Sequence, residues 1–268
     1  MTAKEAVRKA WEAGRAILAV NAVNLETAQA IVMGAERAQR PVFLMFSHNA
    51  LRYGGLEELA ALGNALRRKA QVPVFLHLDH AEDLDILERA LGLGFDSVML
   101  EEGPLEVLKE ARKLAGSRPL ELEVEVTAKE GRIASPRSLE AIRELVASVR
   151  PDWVAADLGT AHKELAHRRL HLDKVAALAS LGLPLVLHGG SSADPQDLEK
   201  AASLGVAKVN VATRAFAAFT EGVRESLGDQ LDPRKYLGPA RERMARWVEA
   251  LLLGSAFDLP GPSAAGGR

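Results

Sequence analysis

Short apolar segments and helical stretches alternate along almost the whole chain, and this alternation restricts the possible folds more than any other feature. The apolar segments are rich in β-branched residues, as expected for strands whose two faces are both covered. Capping residues before the helical stretches and glycines after them mark the boundaries. The predicted strands are 16–21, 41–47, 72–79, 97–101, 119–126, 153–158, 184–188 and 207–211. The predicted helices are 3–13, 56–69, 84–93, 105–114, 139–149, 172–181, 195–204 and 232–253.

Eight strand–helix units in a chain of 268 residues predict an α/β fold of the closed (β/α)8 barrel (TIM barrel) type. An open doubly wound sheet is the alternative, but the even spacing of the units favours closure. With 48% hydrophobic residues, the chain can bury a substantial core in one domain. We expect a single catalytic barrel domain over residues 1–256, which includes an extra C-terminal helix, and a flexible tail over residues 257–268.

The composition argues against several classes of partner. The formal net charge of −2 gives no bulk electrostatic attraction to nucleic acid or to an anionic membrane. The chain has no cysteine, so disulfides are impossible and any transition metal must bind to His, Asp or Glu. No apolar run approaches the roughly 18 residues needed to span a bilayer, and the N-terminus lacks an apolar signal core. We therefore expect a cytoplasmic protein without nucleic-acid or membrane partners.

Polar residues occur at the carboxyl end of nearly every predicted strand. In a parallel barrel these ends meet at one face, and this face carries the chemistry of such folds. A random scatter of polar residues would not show this clustering, so the pattern predicts a functional site there. The residues concerned are Asn21, Ser47, Asp79, His80, Glu123, Glu125, His162, the segment 188–191 and the segment 210–213.

Three of these strand ends carry a histidine: His80, His162 and His188. The pair Asp79-His80 alone is more typical of a hydrogen-bonded strand end than of a metal site. Imidazoles on two further strands change this interpretation, because three imidazoles can bind a catalytic zinc and leave its fourth position open for substrate. The adjacent carboxylate of Asp79 can carry a proton.

Two neighbouring strand ends have the features of a phosphate site. Gly189 and Gly190 offer backbone amides that an anion can approach closely, and serine hydroxyls follow them. The segment 210–213 leads into a helix whose N-terminus carries a positive dipole. A simple turn and a simple helix cap are the alternatives for each segment taken alone. Their occurrence after the last two strands favours phosphate binding, since these loops are the usual phosphate site of a barrel.

The motifs resemble those of class II, metal-dependent fructose- and tagatose-bisphosphate aldolases. The resemblance covers nearly the whole chain, and the motifs follow the order found in that family. It implies a homodimeric or homotetrameric enzyme of carbohydrate metabolism, in glycolysis. It also implies zinc or another divalent metal, with a monovalent cation as a further candidate, and a sugar phosphate as substrate. The motifs lie at 18–27, 74–80, 94–99, 159–162, 187–191, 207–213 and 232–237.

The resemblance also implies roles for individual residues. Asp79 becomes the proton carrier at the aldehyde oxygen, while Asn21 and Ser47 line the pocket. Arg234 matches an arginine that family members present to the second phosphate of a bisphosphate, often across a subunit contact. The implied metal ligands are His80, His162 and His188. The implied ligands for the phosphate of dihydroxyacetone phosphate are Gly189, Ser191, Asn210 and Thr213.

The region after the fifth strand departs from the family pattern. Family members have a long glycine-rich loop there, with an acidic residue that moves the proton at the enediolate carbon. Here the loop is much shorter, and Glu130 is the nearest catalytic candidate in sequence. A solvated loop carboxylate is the alternative interpretation of Glu130. Glu123 and Glu125, which the pattern places on one face of the strand, compete with it for the catalytic role.

The sequence therefore predicts zinc-dependent aldol cleavage and condensation of a ketose phosphate or bisphosphate, with dihydroxyacetone phosphate as one product and fructose 1,6-bisphosphate as the first candidate substrate. The shortened loop keeps two alternatives open: a diverged sugar-phosphate isomerase or epimerase, and a non-catalytic phosphosugar-binding protein. The intact Asp79 argues against the non-catalytic alternative. Because a shorter loop excludes water less well, we expect slow bisphosphate cleavage compared with family members, or a preference for another phosphorylated ketose.

Overall fold

The computed structural model of the chain describes residues 1–101, 103–125, 137–160 and 168–259. Eight parallel strands form a closed barrel in chain order, and the barrel closes where β1 pairs with β8. The strands are β1 (Ile17–Asn21), β2 (Val42–Ser47), β3 (Val74–Ala81), β4 (Ser97–Leu100), β5 (Leu120–Glu123), β6 (Trp153–Ala156), β7 (Leu185–Leu187) and β8 (Val206–Val211).

Helices alternate with these strands and surround the barrel. Two short 3₁₀ turns, Gly190–Ser192 and Ser255–Phe257, complete the described elements. The helices are α1 (Ala3–Glu12), α2 (Leu25–Ala38), α3 (His48–Gly54), α4 (Leu56–Lys69), α5 (Leu84–Gly92), α6 (Leu105–Ala115), α7 (Leu139–Val149), α8 (Leu172–Ala179), α9 (Pro195–Leu204), α10 (Thr213–Leu227) and α11 (Arg234–Leu252).

The predicted barrel is confirmed. Helices α2, α3 and α10 lie outside the helical stretches predicted above, and the other differences concern the ends of individual elements. β3 continues to Ala81, because the strand resumes pairing with Leu100 of β4 after an irregularity in register. β5 ends at Glu123, so the prediction of a strand to residue 126 was wrong at that end. The chain leaves the strand because of contacts with Arg137: its guanidinium donates to the carbonyl oxygen of Val124 at 2.5 Å, and its N–H donates to the Glu125 carboxylate at 3.2 Å.

The amino-terminal half of the barrel interior is apolar and closed. Phe43, Phe75 and Trp153 fill it, with ring centroids 5.2 Å apart for Phe43–Phe75 and 5.7 Å apart for Phe43–Trp153. Buried alanines and Val7 of α1 belong to the same cluster, so this helix covers the amino-terminal opening. The apolar floor leaves the carboxyl-terminal end of the barrel as the place where interior polar side chains collect.

The C-terminal part of the chain packs on the barrel. Helix α11 lies against α2 and α10, and its buried face includes Met244 and Val248. Phe257 is buried, and the N–H of Ala16 donates to the carbonyl oxygen of Ala256 at 2.8 Å. Residues 260–268 lie outside the described part, so the tail over 257–268 stays a prediction. None of the helices described in this structure is both long and apolar enough to cross a bilayer.

Candidate active site

The two described candidate histidines meet at the carboxyl end of the barrel. His80 Nε2 lies 3.2 Å from His188 Nδ1. His80 has a φ angle of 53°, a left-handed conformation that is uncommon for a residue other than glycine. Such strained backbone is typical of functional positions. His188 follows β7 directly, and the hydroxyl of Thr160 donates to its carbonyl oxygen at 2.5 Å.

Each of these imidazoles turns its second ring nitrogen towards a carboxylate. His188 Nε2 lies 2.7 Å from Glu121 Oε1, and both side chains are buried. His80 Nδ1 lies 3.3 Å from Glu101 Oε1. At His188 the Glu121 carboxylate fixes the N–H on Nε2 and leaves the lone pair on the inner nitrogen, Nδ1, which is the arrangement found around metal-bound histidines.

Asp79 is the buried carboxylate beside these imidazoles. Its Oδ2 accepts a hydrogen bond from Asn21 Nδ2 at 3.0 Å, whereas its Oδ1 is buried without a hydrogen-bond partner and lies 3.9 Å from His80 Nε2. Burial alone would raise the pKa of Asp79, but the nearby imidazoles of His80, His188 and His77 lower it to about 2. Asp79 is therefore ionised at neutral pH.

These residues fit a divalent metal. Asp79, His80 and His188 each offer a ligand atom, and the three atoms lie within 4.8 Å of one another. Two nitrogens at 2.0–2.1 Å from a tetrahedral zinc would be about 3.3–3.4 Å apart, close to the observed 3.2 Å between the histidines. The imidazole nitrogens suit zinc or another divalent transition metal, and the sequence has no cysteine that could serve instead.

A second polar group lies on the amino-terminal side of the histidines, inside the barrel. Lys208 Nζ donates to Glu121 Oε2 at 2.7 Å and to Asn210 Oδ1 at 2.9 Å. His77 Nδ1 lies 2.8 Å from the Ser97 hydroxyl. Burial, and to a smaller extent the charge of Lys208, lower the pKa of His77 to about 3, so this imidazole is neutral at physiological pH.

The candidate phosphate loops are joined at the start of α10. Gly189 has a φ angle of 64°, and a Cβ added to Gly190 would lie 2.5 Å from Val209 Cγ1, so the turn requires glycine. The turn brings the Ser191 hydroxyl to the backbone N–H groups of Ala212 and Arg214, at 3.3 and 3.4 Å. The loop after β7 thus contacts the N-terminus of α10, which begins at Thr213.

Of the other predicted site residues, Asn210 contacts the histidines, Ser47 caps a helix, and Arg234 is exposed. Asn210 Nδ2 lies 3.2 Å from His188 Nε2, so this side chain contacts the histidine group. Ser47 lies opposite Asp79 in the sheet register, and its hydroxyl accepts the N–H of Ala50 as the cap of α3. The Arg234 side chain is 91% exposed and pairs with Asp232 at 2.8 Å.

Of the acidic residues near β5 that are candidates for the catalytic role, Glu123 and Glu125 lie in the described part of the structure. Glu123 lies two residues after Glu121 on the same strand, is buried, and its Oε1 has no hydrogen-bond partner. Glu125 is paired with Lys174 at 2.5 Å. Glu130 and the predicted ligand His162 lie outside the described residues, so their positions stay predictions.

Sequence reasoning gave no role to Glu101, Glu121, His77 or Lys208. The sequence did contain a signal for Lys208. This lysine lies within an apolar strand, and a buried lysine requires an anionic partner. Glu121 alternates with Leu120 and Leu122 on β5, and this alternation indicates an interior carboxylate. The partner strand could not be identified from the sequence, because the pairing depends on how the closed barrel places β5 relative to β8.

The molecule is a closed β/α barrel with a buried His/Asp group at its carboxyl end that could hold a metal ion. The family model described as fructose-bisphosphate aldolase class-II matches residues 1–255. The chain therefore belongs to the class II fructose-bisphosphate aldolase family, as its motifs predicted, and is a carbon–carbon lyase.

Several known proteins have a similar sequence or a similar fold. A fructose-bisphosphate aldolase of Thermus caldophilus is 33% identical over 93% of this chain and 96% of its own length. A sulfofructosephosphate aldolase of Alkalicoccus urumqiensis is 32% identical over 91% of this chain and 92% of its own length. The crystal structure of the YdjI aldolase of Escherichia coli K12 has the same fold, with a TM-score of 0.84 at 23% identity, over 97% of this chain and 98% of that one.

Proposed function

We propose that the protein is a zinc-dependent aldolase that cleaves and forms a ketose bisphosphate, with fructose 1,6-bisphosphate as substrate and dihydroxyacetone phosphate as one product. The observation that carries the proposal is the paired geometry of His80 and His188. Their inner nitrogens are 3.2 Å apart, and both outer nitrogens face carboxylates. Family membership favours this lyase over the isomerase, epimerase and non-catalytic alternatives.

His80, His188 and His162 would bind the metal. Support for His162 comes from the residues on either side of its segment. Thr160 donates to the carbonyl oxygen of His188, and the N–H of Arg168 donates to the carbonyl oxygen of Ser192 at 2.6 Å. Both flanking residues therefore contact the loop that follows β7. When zinc is bound there, it supplies Lewis-acid stabilisation of the negative charge that develops on the ketone fragment.

Asp79 would carry the proton at the aldehyde oxygen. In cleavage its carboxylate takes the proton from the carbinol hydroxyl as the carbon–carbon bond breaks, and in condensation it returns that proton. The pKa of about 2 keeps Asp79 in the basic form needed for cleavage. The hydrogen bond from Asn21 orients one oxygen, and the unpartnered Oδ1 remains available to the substrate.

The joined loops after β7 and β8 would bind the phosphate of dihydroxyacetone phosphate. Gly189 and Ser191 lie in one loop, and Thr213 opens α10, whose N-terminal amides carry partial positive charge. The contacts from Ala212 and Arg214 to the Ser191 hydroxyl hold the two loops at one place. Asn210 would link this region to the metal site through its contact with His188.

Turnover and metal content of purified protein test the proposal. Zinc-loaded protein should release triose phosphates from fructose 1,6-bisphosphate, lose this activity on chelation, and recover it when zinc is restored. His188→Ala should lose zinc under mild chelation, while the wild-type protein keeps it. Activity that is unaffected by complete metal removal, or the absence of turnover with any phosphorylated ketose, would contradict the proposal.

The substrate is tested in the same assay by direct comparison. Because the relative from Alkalicoccus urumqiensis is a sulfofructosephosphate aldolase, the sulfonated ketose phosphate is the alternative candidate substrate to fructose 1,6-bisphosphate. The ratio of kcat/KM for the two substrates measures the preference at the distal anion. A large preference for the sulfonate would retain the aldolase chemistry but reject the bisphosphate as substrate.

A further inference from the structure

We propose that Glu121, with its charge neutralised by Lys208, is a positioning residue that fixes the tautomer of His188 and so strengthens metal binding. The inference rests on the proposed metal centre, because it concerns the nitrogen that His188 presents to the ion. Glu121 and Lys208 are fully buried inside the barrel, and Glu121 contacts His188 directly.

The distances select one tautomer of His188. Its Nε2 lies 2.7 Å from the carboxylate oxygen of Glu121, which is a normal length for an N–H donor to an anionic acceptor. With the proton on Nε2, the lone pair is on Nδ1, the nitrogen that faces His80 at 3.2 Å. The tautomer that Glu121 favours is therefore the one that presents a lone pair towards the metal position.

The opposite tautomer has a worse fit. It would place the Nε2 lone pair 2.7 Å from an anionic oxygen, and two longer contacts, from Asn210 Nδ2 to Nε2 and from Nδ1–H to His80 Nε2, both at 3.2 Å, would offset this only in part. It would also place an N–H on Nδ1, which blocks coordination by that nitrogen. Asn210 Nδ2 faces His188 Nε2 because the Asn210 carbonyl oxygen accepts a hydrogen bond from Lys208, but this neutral contact is longer than the one to the Glu121 carboxylate.

Lys208 explains how a buried carboxylate can occupy this position. An isolated buried charge is costly, whereas a buried pair with further hydrogen bonds is tolerated. Lys208 Nζ donates to Glu121 Oε2 at 2.7 Å, so the carboxylate has one oxygen on the ammonium and the other on the imidazole. The Glu121–Lys208 pair has no net charge, so Glu121 can contact His188 without adding a net negative charge beside it.

The carboxylate on the other histidine provides a comparison. Glu101 lies 3.3 Å from His80 Nδ1, and its side chain is 18% exposed, whereas that of Glu121 is fully buried. The longer distance and the partial contact with water weaken its control over the imidazole. We therefore expect Glu101→Gln to lower zinc affinity less than Glu121→Gln.

The experiment measures zinc affinity by chelator competition, with zinc alone as the probe and no substrate. Glu121→Gln should bind zinc about 10- to 100-fold more weakly than wild type. Nitrogen-15 NMR of the imidazoles in the metal-free protein should show the His188 Nε2–H tautomer in wild type and its loss in the variant. The control is Asp152→Asn, which removes a carboxylate that accepts the N–H of Leu120 at 3.0 Å, at the start of β6. This control should retain zinc affinity.

A double variant separates positioning from simple charge balance. Glu121→Gln combined with Lys208→Met removes both charges, so it should recover thermal stability relative to Glu121→Gln but should keep the weakened zinc binding. Recovery of wild-type zinc affinity in the double variant would overturn the inference, as would an unchanged affinity in Glu121→Gln. A wild-type protein that binds no zinc would instead reject the metal centre itself, and this outcome is distinguishable from the other two.

Discussion

At the scale of single residues, the neighbours of a buried carboxylate decide what it can do. Glu121 has both oxygens occupied, one by Lys208 and one by His188. Asp79 has one oxygen on Asn21 and one without a hydrogen-bond partner. A carboxylate with a free oxygen can accept a proton from a substrate hydroxyl, whereas a fully bonded one can only position its neighbours. The two buried acids are therefore assigned different tasks.

Asp79→Asn should abolish most turnover and leave zinc and phosphate binding intact. Asparagine keeps the shape and the contact with Asn21 but lacks the basic oxygen, so kcat should fall by about 10²- to 10⁴-fold. Steady-state kinetics and metal analysis of the same sample check this. Asp83→Asn, which changes the exposed cap of α5, is the matched control. Loss of zinc together with activity would show that Asp79 is itself a metal ligand, and near wild-type rates would leave it with a structural role.

Glu123 is the described acid best placed to move the proton at the enediolate carbon. It shares a strand with Glu121 two residues away, and its Oε1 has no hydrogen-bond partner, whereas Glu125 is paired with Lys174. Glu123→Gln should slow the exchange of the carbon-bound proton of dihydroxyacetone phosphate with solvent by at least about 10²-fold. Proton NMR in deuterated buffer measures this exchange.

The variants Glu125→Gln and Glu130→Ala complete this comparison. Glu125→Gln should exchange at a near wild-type rate, because its carboxylate already belongs to an ion pair. If Glu130→Ala abolished exchange while Glu123→Gln did not, the loop acid predicted from the sequence would be the proton carrier.

The sequence indicated the residues at the strand ends but not their partners. Asp79, His80 and His188 were predictable, because a parallel barrel places all carboxyl ends of its strands on one face. The roles of Glu121 and Lys208 depend on side chains that meet across the interior, between strands far apart in the chain. Such contacts depend on how the strands are staggered around the barrel, which local patterns do not specify.

At the scale of secondary-structure elements, the Asp197 side chain of α9 binds the segment that leads into α8. Its buried carboxylate accepts the N–H of Leu170 at 3.0 Å and Arg169 Nε at 2.7 Å. Burial alone would raise the pKa of Asp197, but the backbone hydrogen bond from Leu170 and the contact with Arg169 lower it below its ordinary value. The ionised form is therefore stabilised by folding.

Asp197→Asn should destabilise the protein by about 1–3 kcal/mol at pH 7. A carboxylate with a lowered folded-state pKa contributes stability above its unfolded pKa, near 3.9, and loses it as the pH falls through the folded value. The difference in unfolding free energy between wild type and variant should therefore shrink as the pH falls below about 4. Urea unfolding at a series of pH values measures it.

The exposed Asp173 on α8 gives the control for this prediction. Asp173→Asn should change stability little at any pH, because surface substitutions away from specific contacts are usually within about 0.5 kcal/mol. A difference between wild type and Asp197→Asn that stays constant from pH 7 to acid would contradict the assigned role of the ionised carboxylate.

The sequence also predicted most elements correctly as helix or strand, but it predicted the residues at which they begin and end less well. Helices α4, α7 and α9 have the predicted bounds, since amphipathic patterns and capping residues are local features. The early end of β5 depends on Arg137, which contacts the Val124 carbonyl from beyond the strand. A tertiary contact of this kind overrides the apolar pattern that predicted a longer strand.

At the scale of the whole molecule, one predicted site residue, Arg234, has no contact with the buried site residues among the described contacts of its own chain. Arg234 opens α11, its side chain is 91% exposed, and it pairs with Asp232 of its own chain. An arginine for the distal phosphate of a bisphosphate must reach the carboxyl end of a barrel. The resemblance to bisphosphate aldolases implies that this barrel belongs to a neighbouring subunit, so the chain would form a homo-oligomer with sites completed across the interface.

Mixed oligomers of two impaired variants test this arrangement. Arg234→Ala should raise KM for the bisphosphate, and Asp79→Asn should be inactive. If Arg234 serves the neighbour, a hybrid pair has one intact site, with Asp79 from one chain and Arg234 from the other. Random mixing in equal amounts should then restore about a quarter of wild-type activity at low substrate concentration, because half of the pairs are hybrids with one intact site each.

The control mixture combines Asp79→Asn with His188→Ala. Both changes lie in the barrel of their own chain, so hybrids of these two variants have no intact site and should remain inactive. Denaturation and refolding of the mixed chains, or coexpression, produces the hybrids, and mass spectrometry of the assembled species confirms that they form. If hybrids of Asp79→Asn and Arg234→Ala form without recovering activity, Arg234 does not act across the subunit contact. If the wild-type chain is a monomer that cleaves the bisphosphate efficiently, then the distal phosphate is bound by other residues of the same barrel.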